Sequence, residues 1–283
     1  MSDFVKKKKY GQNFLTSDRI PARIAAESGI TSECGVIEIG PGLGVLTKQL
    51  LSVAKKVVAI EIDEELIPIL NEKFAQHDNF LLINKDILEI DLGKLIEEQF
   101  AGMPVCVCAN LPYYITTPIL MKLLEGKHGF RTITVMVQKE VAQRLCSKCG
   151  ESEYGAITAS VNYYASVKRL FPVKAGSFSP PPKVDSAVIR FDLYDTPPIT
   201  PADENTFFAV IRAAFAQRRK TLLNALSTAF GDRLSREQLA DFIMEAGLKP
   251  DVRGEKTDNK TLCFISDKIF FNINGGKQNE HLH

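Results

Sequence analysis

Asn110-Leu111-Pro112-Tyr113 brings a polar amide, a proline and an aromatic ring together in four consecutive positions. These residue types suit one chemical task, holding a planar amine for alkylation. The exocyclic amine of a heteroaromatic base delocalises its lone pair into the ring and is a poor nucleophile. Acceptors for its N–H protons and an aromatic face against the ring counter that weakness. Asn110 and the carbonyl of Leu111 are the candidate acceptors, and Tyr113 is the candidate face. Four residues alone leave a plainer reading open, a strand-to-helix turn with Pro in the loop and Tyr in the core.

The elements around the tetrapeptide decide where it would sit. It follows the apolar run Pro104-Val105-Cys106-Val107-Cys108-Ala109, which reads as a buried strand of a parallel sheet. Asn110 then lies at the carboxyl edge, where open α/β sheets bind ligands. Upstream, the strand Val36-Ile37-Glu38-Ile39 runs into Gly40-Pro41-Gly42-Leu43-Gly44, and a helical segment from Val45 to Ala54 follows. The strand Lys56–Ile60 ends on Glu61, 21 positions after Gly40. A glycine-rich turn, a helix and a strand ending in an acid about 20 residues on form a ribose-binding layout. A third strand, Phe80–Asn84, leads to Asp86, either an acceptor for an adenine amine or a helix N-cap. Four strand ends thus line one crevice. A dinucleotide site would want a glycine where Val45 stands and a second mononucleotide half, so hydride transfer is disfavoured. No Gly-Lys-Ser/Thr follows the glycines, which excludes a P-loop.

Gln12-Asn13-Phe14-Leu15, Glu38-Ile39-Gly40-Pro41-Gly42-Leu43-Gly44, Glu61, Asp86, Asn110-Leu111-Pro112-Tyr113 and Phe178-Ser179-Pro180-Pro181-Pro182-Lys183-Val184-Asp185-Ser186 occur in that order. Together they resemble the ribosomal RNA adenine dimethyltransferases, and within them the bacterial small-subunit (16S) branch. The resemblance runs from about Tyr10 to about Phe270. The glycine-rich turn is shared by many methyltransferases, whereas the segments opening at Gln12, Asn110 and Phe178 are together specific to this family. The resemblance implies an α/β fold, a Rossmann-like methyltransferase sheet flanked by helices with a small all-helical C-terminal domain. It implies S-adenosylmethionine as cofactor. Asn13 and Leu15 would close over it, Gly40 would admit its methionine part, Glu61 would bind the ribose hydroxyls and Asp86 the adenine amine. Asn110 would face both cofactor and target. The target adenine would be extruded from its stack and held between Tyr113 and Phe178. Phe178 also has a plainer reading as a core aromatic before a proline turn. None of the four His lies in these segments, and a pre-activated methyl donor demands alignment more than acid–base chemistry.

Charge points the same way once it is mapped along the chain. The net charge is only +1, yet Ala59 to Glu98 holds 11 acidic and 3 basic residues. Asn205 to Ala229 holds no acid and four bases, Arg212, Arg218, Arg219 and Lys220. Arg218, Arg219 and Lys220, on an expected helix, are the candidate RNA-binding residues, with Lys6–Lys9 a second basic patch. A solvated helix face is the alternative. The resemblance implies 16S rRNA, in a small-subunit particle, as partner.

Length and composition predict one large domain and a smaller one. A methyltransferase domain is expected over 1–195 and a helical RNA-binding domain over 196–274, joined at the proline-rich stretch Asp195–Pro201. The pattern beyond it predicts helices over 205–216, 220–230, 235–246 and 260–271, the third opened by the capping box Ser235-Arg236-Glu237-Gln238. The polar tail 275–283 is expected to be disordered. No apolar run of about 18 residues occurs, so no membrane span is expected. No apolar stretch follows Lys6–Lys9 either, and the reading is a cytoplasmic monomer. Cys146-Ser147-Lys148-Cys149 lacks a second Cys/His pair, and no metal site is expected. Two other readings stay open, a large-subunit rRNA adenine methylase and a non-catalytic assembly factor on the same fold.

Overall fold

The central strands are built from near-continuous apolar runs, which suits a parallel sheet covered on both faces. A computed structural model describes residues 13–275. The basic run Lys6–Lys9, Gln12 and the tail beyond Gly275 lie outside the described residues. The short strand β1 (Phe14–Leu15) and helix α1 (Arg19–Glu27) lead into β2 (Gly35–Ile39), α2 (Val45–Leu51), β3 (Lys56–Glu61), α3 (Leu66–Lys73) and β4 (Phe80–Asn84). Next come α4 (Leu92–Phe100), β5 (Val105–Asn110), α5 (Thr116–Glu125) and β6 (Phe130–Gln138). Helices α6 (Lys139–Leu145) and α7 (Ala156–Tyr164) precede β7 (Ala165–Val173), β8 (Phe178–Ser179) and β9 (Ser186–Leu193). Four helices follow: α8 (Glu204–Ala216), α9 (Leu222–Phe230), α10 (Arg236–Glu245) and α11 (Asn259–Gly275).

Seven strands form one sheet in the order β4-β3-β2-β5-β6-β9-β7, and β1 pairs with β8 in a separate two-stranded ladder. β2, β3, β4, β5 and β6 run parallel, and β9 is antiparallel to β6. From β2 the chain winds outward through β3 to β4, then returns to lay β5 on the other side of β2. The winding reverses there, and such a switch point opens a crevice at the carboxyl ends of the strands. Gly40 follows β2 and Asn110 ends β5, so the fold sets both at that crevice. Helices flank the sheet; Ile24 of α1 and Leu46 and Leu50 of α2 belong to one buried cluster with Val36, Val57, Cys106 and Cys108 of the strands. The α/β methyltransferase-like sheet with C-terminal helices is therefore present.

The chain divides into two units. One comprises the residues up to Ala142 together with Ser166–Asp195, and the other Gln143–Ala165 together with the chain from Thr196 onward. The crossing at Asp195/Thr196 coincides with the sequence boundary, whereas the excursion of Gln143–Ala165 into the helical unit departs from it. Aromatic packing accounts for the excursion. Tyr163 lies 5.4 Å from both Phe207 and Phe208 of α8, and its hydroxyl donates to Glu204 Oε1 at 2.8 Å. Within the helical unit the Ser235 box forms as expected, Gln238 N donating to Ser235 Oγ at 3.2 Å and Ser235 N to Gln238 Oε1 at 2.9 Å. Among the described residues no helix is long and apolar enough to cross a membrane.

Candidate active site

The glycine-rich turn needs backbone that other residues adopt poorly. Gly40 has φ +66°, and a Cβ there would meet no atom within 4 Å, so its backbone faces open space. Its amide is held by Ile60 O of β3 at 2.9 Å, which fixes the turn against the next strand. Gly44, at φ +73°, begins α2, and a Cβ there would fall 2.5 Å from the Phe74 ring. One glycine thus clears the crevice and the other lets helix and core close up.

Glu61 ends β3 and organises that turn. Its Oε2 accepts from Gly42 N at 3.1 Å and its Oε1 from Asp63 N at 2.9 Å. Burial nonetheless raises its pKa, against the pull of those amides. Each carboxylate oxygen keeps a lone pair for a further donor such as a ribose hydroxyl. Asp86 is half-buried at the next strand end and N-caps a single turn of 3-10 helix, Leu88 N donating to its Oδ1 at 2.9 Å. The capping role and a place at the crevice therefore coexist in one carboxylate.

Glu38 is a site residue that the sequence pattern does not single out. It lies in β2, is 1% exposed, and its Oε2 has no hydrogen-bond partner among the described residues. Burial, reinforced by the neighbouring charge of Glu61, pushes its pKa up to about 8. The signal that could have found it is an acid in the middle of an apolar strand, since buried charge is rare without a purpose.

At the end of β5, Asn110 Nδ2 donates to the backbone carbonyl of Asn13 at 3.3 Å. A carbonyl partner must face the NH2 side of the amide, so Oδ1 is the atom left to accept an incoming N–H. Leu111 is buried and its amide donates to Met136 O of β6 at 3.2 Å, which pins the tetrapeptide to the sheet. Tyr113 is half-buried; its hydroxyl shares a 2.7 Å hydrogen bond with Ser186 Oγ, and burial raises its pKa. Pro112 O receives Ile115 N at 3.2 Å and Thr116 Oγ1 at 3.1 Å, closing the turn into α5.

One cavity joins these groups. It encloses ≈ 1170 Å³ of atom-free space, part of it open to solvent. Asn13, Leu15, Gly40, Glu61, Asp86, Asn110, Leu111 and Tyr113 all line it. Phe178 does not. It is 3% exposed, paired with Leu15 across the β1–β8 ladder and part of the main core cluster, so it takes its plainer reading. Three acids and one base line it, Glu38, Glu61, Asp86 and Lys85, with Glu38 kept protonated near neutral pH by its burial. That imbalance, the unpartnered Glu38 oxygen and the open space at Gly40 fit S-adenosylmethionine, a nucleoside bearing a sulfonium and an ammonium.

Arg218, Arg219 and Lys220 lie in the helical unit, exposed, in the turn between α8 and α9 rather than on a helix. Gln217 leaves helical geometry at φ −140°, and Thr221 restarts it, its Oγ1 accepting from Asn224 N at 3.2 Å. Arg218 Nη2 donates to Ser152 O in the same unit.

Residues 3–262 match the family model described as ribosomal RNA adenine dimethylase. The chain is 47% identical over 268 residues to the ribosomal RNA small subunit methyltransferase A of Bacillus mycoides, covering 94% of this chain and 92% of that protein. A crystal structure of a dimethyladenosine transferase from Plasmodium falciparum superposes with a TM-score of 0.78 at 25% identity, covering 93% of this chain and 98% of that one. The 23S rRNA methyltransferase ErmE superposes with a TM-score of 0.71 at 24% identity over 91% of this chain and 100% of its own, a likeness of fold.

Proposed function

The chain belongs to the ribosomal RNA adenine dimethylase family, and on that premise we propose how its residues perform the reaction. It is an rRNA adenine-N6,N6-dimethyltransferase, which transfers methyl groups to N6 of two adjacent adenines in the 3′-terminal hairpin loop of 16S rRNA. The methyl donor in this reading is S-adenosylmethionine, the substrate is 16S rRNA within a small-subunit particle, and the enzyme is a cytoplasmic monomer acting in ribosome biogenesis. The first unit is the methyltransferase domain and the helical unit the RNA-binding domain.

The observation that supports this reading most is the single cavity shared by Asn110, Gly40, Glu61 and Asp86. When bound, the cofactor supplies an electrophilic methyl carbon on a positively charged sulfur. Glu61 would accept from the ribose hydroxyls while its bonds to Gly42 N and Asp63 N hold the turn in place. Asp86 would take the adenine amine of the cofactor with the oxygen not used as the cap. Asn110 Oδ1 and the Leu111 carbonyl would accept the N–H protons of the target amine, localising its lone pair toward the sulfonium. Tyr113, held by Ser186, would press on the face of the extruded base. Asn13 and Leu15 would cover the cofactor, Asn13 through the bond its carbonyl receives from Asn110. Alignment of this kind is the largest contribution open to a site whose electrophile arrives already activated. Arg218, Arg219 and Lys220 would contact backbone phosphates.

The test uses small-subunit particles from a strain lacking the modification, incubated with enzyme and radiolabelled cofactor. Digestion and mass spectrometry should find two adjacent dimethyladenosines in the small-subunit rRNA. Unmodified adenines there would overturn the reading, and label appearing instead in large-subunit particles would move the substrate.

A further inference from the structure

Extruding one adenine from a loop costs a few kcal/mol and strips a stacking partner from its neighbour. A site that methylates one of two adjacent bases gains if it covers that bared face. The sequence offered Phe178 as the second aromatic of the pocket, yet Phe178 is locked in the core. Tyr113 is held at one place by Ser186. Phe14 and Tyr114 are the other aromatic rings that line the cavity, Phe14 half-buried and Tyr114, at 63% exposed, the one presented to solvent at the rim.

Of the large apolar side chains exposed among the described residues, Ile62 and Tyr114 are the two that line this cavity. They sit at opposite ends of its chemistry. Ile62 follows Glu61 at the end of β3, beside the carboxylate suited to a ribose. Tyr114 follows β5 on the other side of β2, four residues past Asn110 and next to Tyr113. An aromatic at the β5 end is misplaced for the nucleoside of the cofactor and well placed for RNA. The turn that presents it is rigid, closed by the two bonds onto Pro112 O and started by a proline whose φ is fixed. A tyrosine held this way offers a large flat contact with little side-chain entropy to lose.

We propose that Tyr114 stacks on the nucleobase adjacent to the adenine being methylated, and thereby positions the RNA loop at the cavity mouth. The inference rests on the rRNA-adenine reading and adds a positioning residue to it. Stacking makes a specific demand, an aromatic face rather than mere bulk. Tyr114→Phe should therefore behave as wild type, while Tyr114→Leu and Tyr114→Ala should raise KM for unmodified small-subunit particles about tenfold, the loss of one base stack. The cofactor dissociation constant by calorimetry and the thermal midpoint should stay at wild-type values in all three, because the ring is exposed and remote from the β3 end. A purely structural role would instead move the midpoint, and a cofactor-lid role would move the dissociation constant. Wild-type KM in Tyr114→Leu, or equal damage in Tyr114→Phe and Tyr114→Leu, would overturn the proposal while leaving the functional reading intact. Failure of the wild-type enzyme to methylate either adenine would remove both.

Discussion

The side chain of Asn110 reaches across 97 positions of sequence to the backbone carbonyl of Asn13, 3.3 Å from its Nδ2. One amide thus clasps the N-terminal segment at the crevice and leaves its Oδ1 as the acceptor on which the proposed reaction relies. Asn110→Ala removes both functions, and Asn110→Asp replaces the clasping N–H with an acceptor facing an acceptor.

Because the acceptor matters most as the amine attacks, Asn110→Ala should lower kcat by about 10²–10³, the range found for single preorganised groups. Affinity for the small-subunit particle should change less than about threefold by filter binding, roughly the effect of a peripheral polar contact. Equal losses in turnover and RNA affinity would refute the assignment. Asn110→Asp should be as inactive and should also loosen the segment around Asn13, visible as faster amide hydrogen exchange there.

Glu61 supports the turn and has the ribose as its proposed second duty, so its variants should separate the two. Glu61→Ala strands the amides of Gly42 and Asp63, at a cost of about 1–3 kcal/mol each if left unpaired. The thermal midpoint should fall and cofactor binding should be lost. Glu61→Gln keeps one acceptor oxygen and should retain more of the stability than of the affinity. A calorimetric titration showing wild-type cofactor affinity in Glu61→Gln would remove the ribose role.

Phe178 marks where reading by sequence ended. Its position after β7 and before three prolines suits a pocket wall, but its ring faces the core shared by α1, α2 and the strands. Phe178→Leu should accordingly keep kcat per folded enzyme. Phe178→Ala should cost about 3–5 kcal/mol of stability, measurable in urea unfolding. A large drop in kcat with stability intact in either variant would return Phe178 to the site.

The parts legible in the sequence were those set by local pattern. Apolar runs located β2, β3, β4 and β5 within a residue or so, and strand ends then delivered Gly40, Glu61, Asp86 and Asn110 to one cavity because a parallel sheet puts its carboxyl ends on one side. What escaped depends on distant packing. Gln143–Ala165 joins the helical unit through Tyr163 and α8, a pairing between rings of Tyr163 and Phe207 that are far apart in the chain. Arg218, Arg219 and Lys220 fall in a turn instead of a helix because Thr221 is a better N-cap than the residues before it. Glu38, quoted only as part of its strand and the glycine-rich segment, received no role of its own since alternation in a strand buried on both faces carries no inside and outside.

The exposed turn of Arg218 and Arg219 should act through charge alone. Arg218→Ala with Arg219→Ala should raise KM for the particle several-fold at about 0.15 M salt and leave kcat within about twofold, since backbone phosphates set affinity rather than chemistry. The slope of log KM against log salt should flatten by about 1.5, because two fewer phosphates are neutralised on binding. An unchanged slope would mean that these side chains meet no phosphate. Arg218 also donates to Ser152 O, so the thermal midpoint is measured alongside to set aside any local loosening.

Glu38 makes a prediction about pH that needs no substrate. Its carboxyl holds a proton in the folded protein up to about pH 8, whereas an unfolded glutamate ionises near 4.5. Between those values the folded state binds the extra proton, so stability falls as pH rises through that window and levels off above it. The full drop is on the order of a few kcal/mol, at about 1.4 kcal/mol for each pH unit of separation. Glu38→Gln is neutral throughout and escapes the penalty. Glu61, whose pKa is also raised, contributes with the same sign in both proteins and cancels to first order in the comparison. Urea unfolding at about pH 4, 7 and 9, values that bracket the window, should therefore show the glutamine variant gaining on the wild type as pH increases. Parallel profiles would mean that Glu38 is already ionised in the fold, held by a counter-charge such as Lys73, whose amine the same burial depresses.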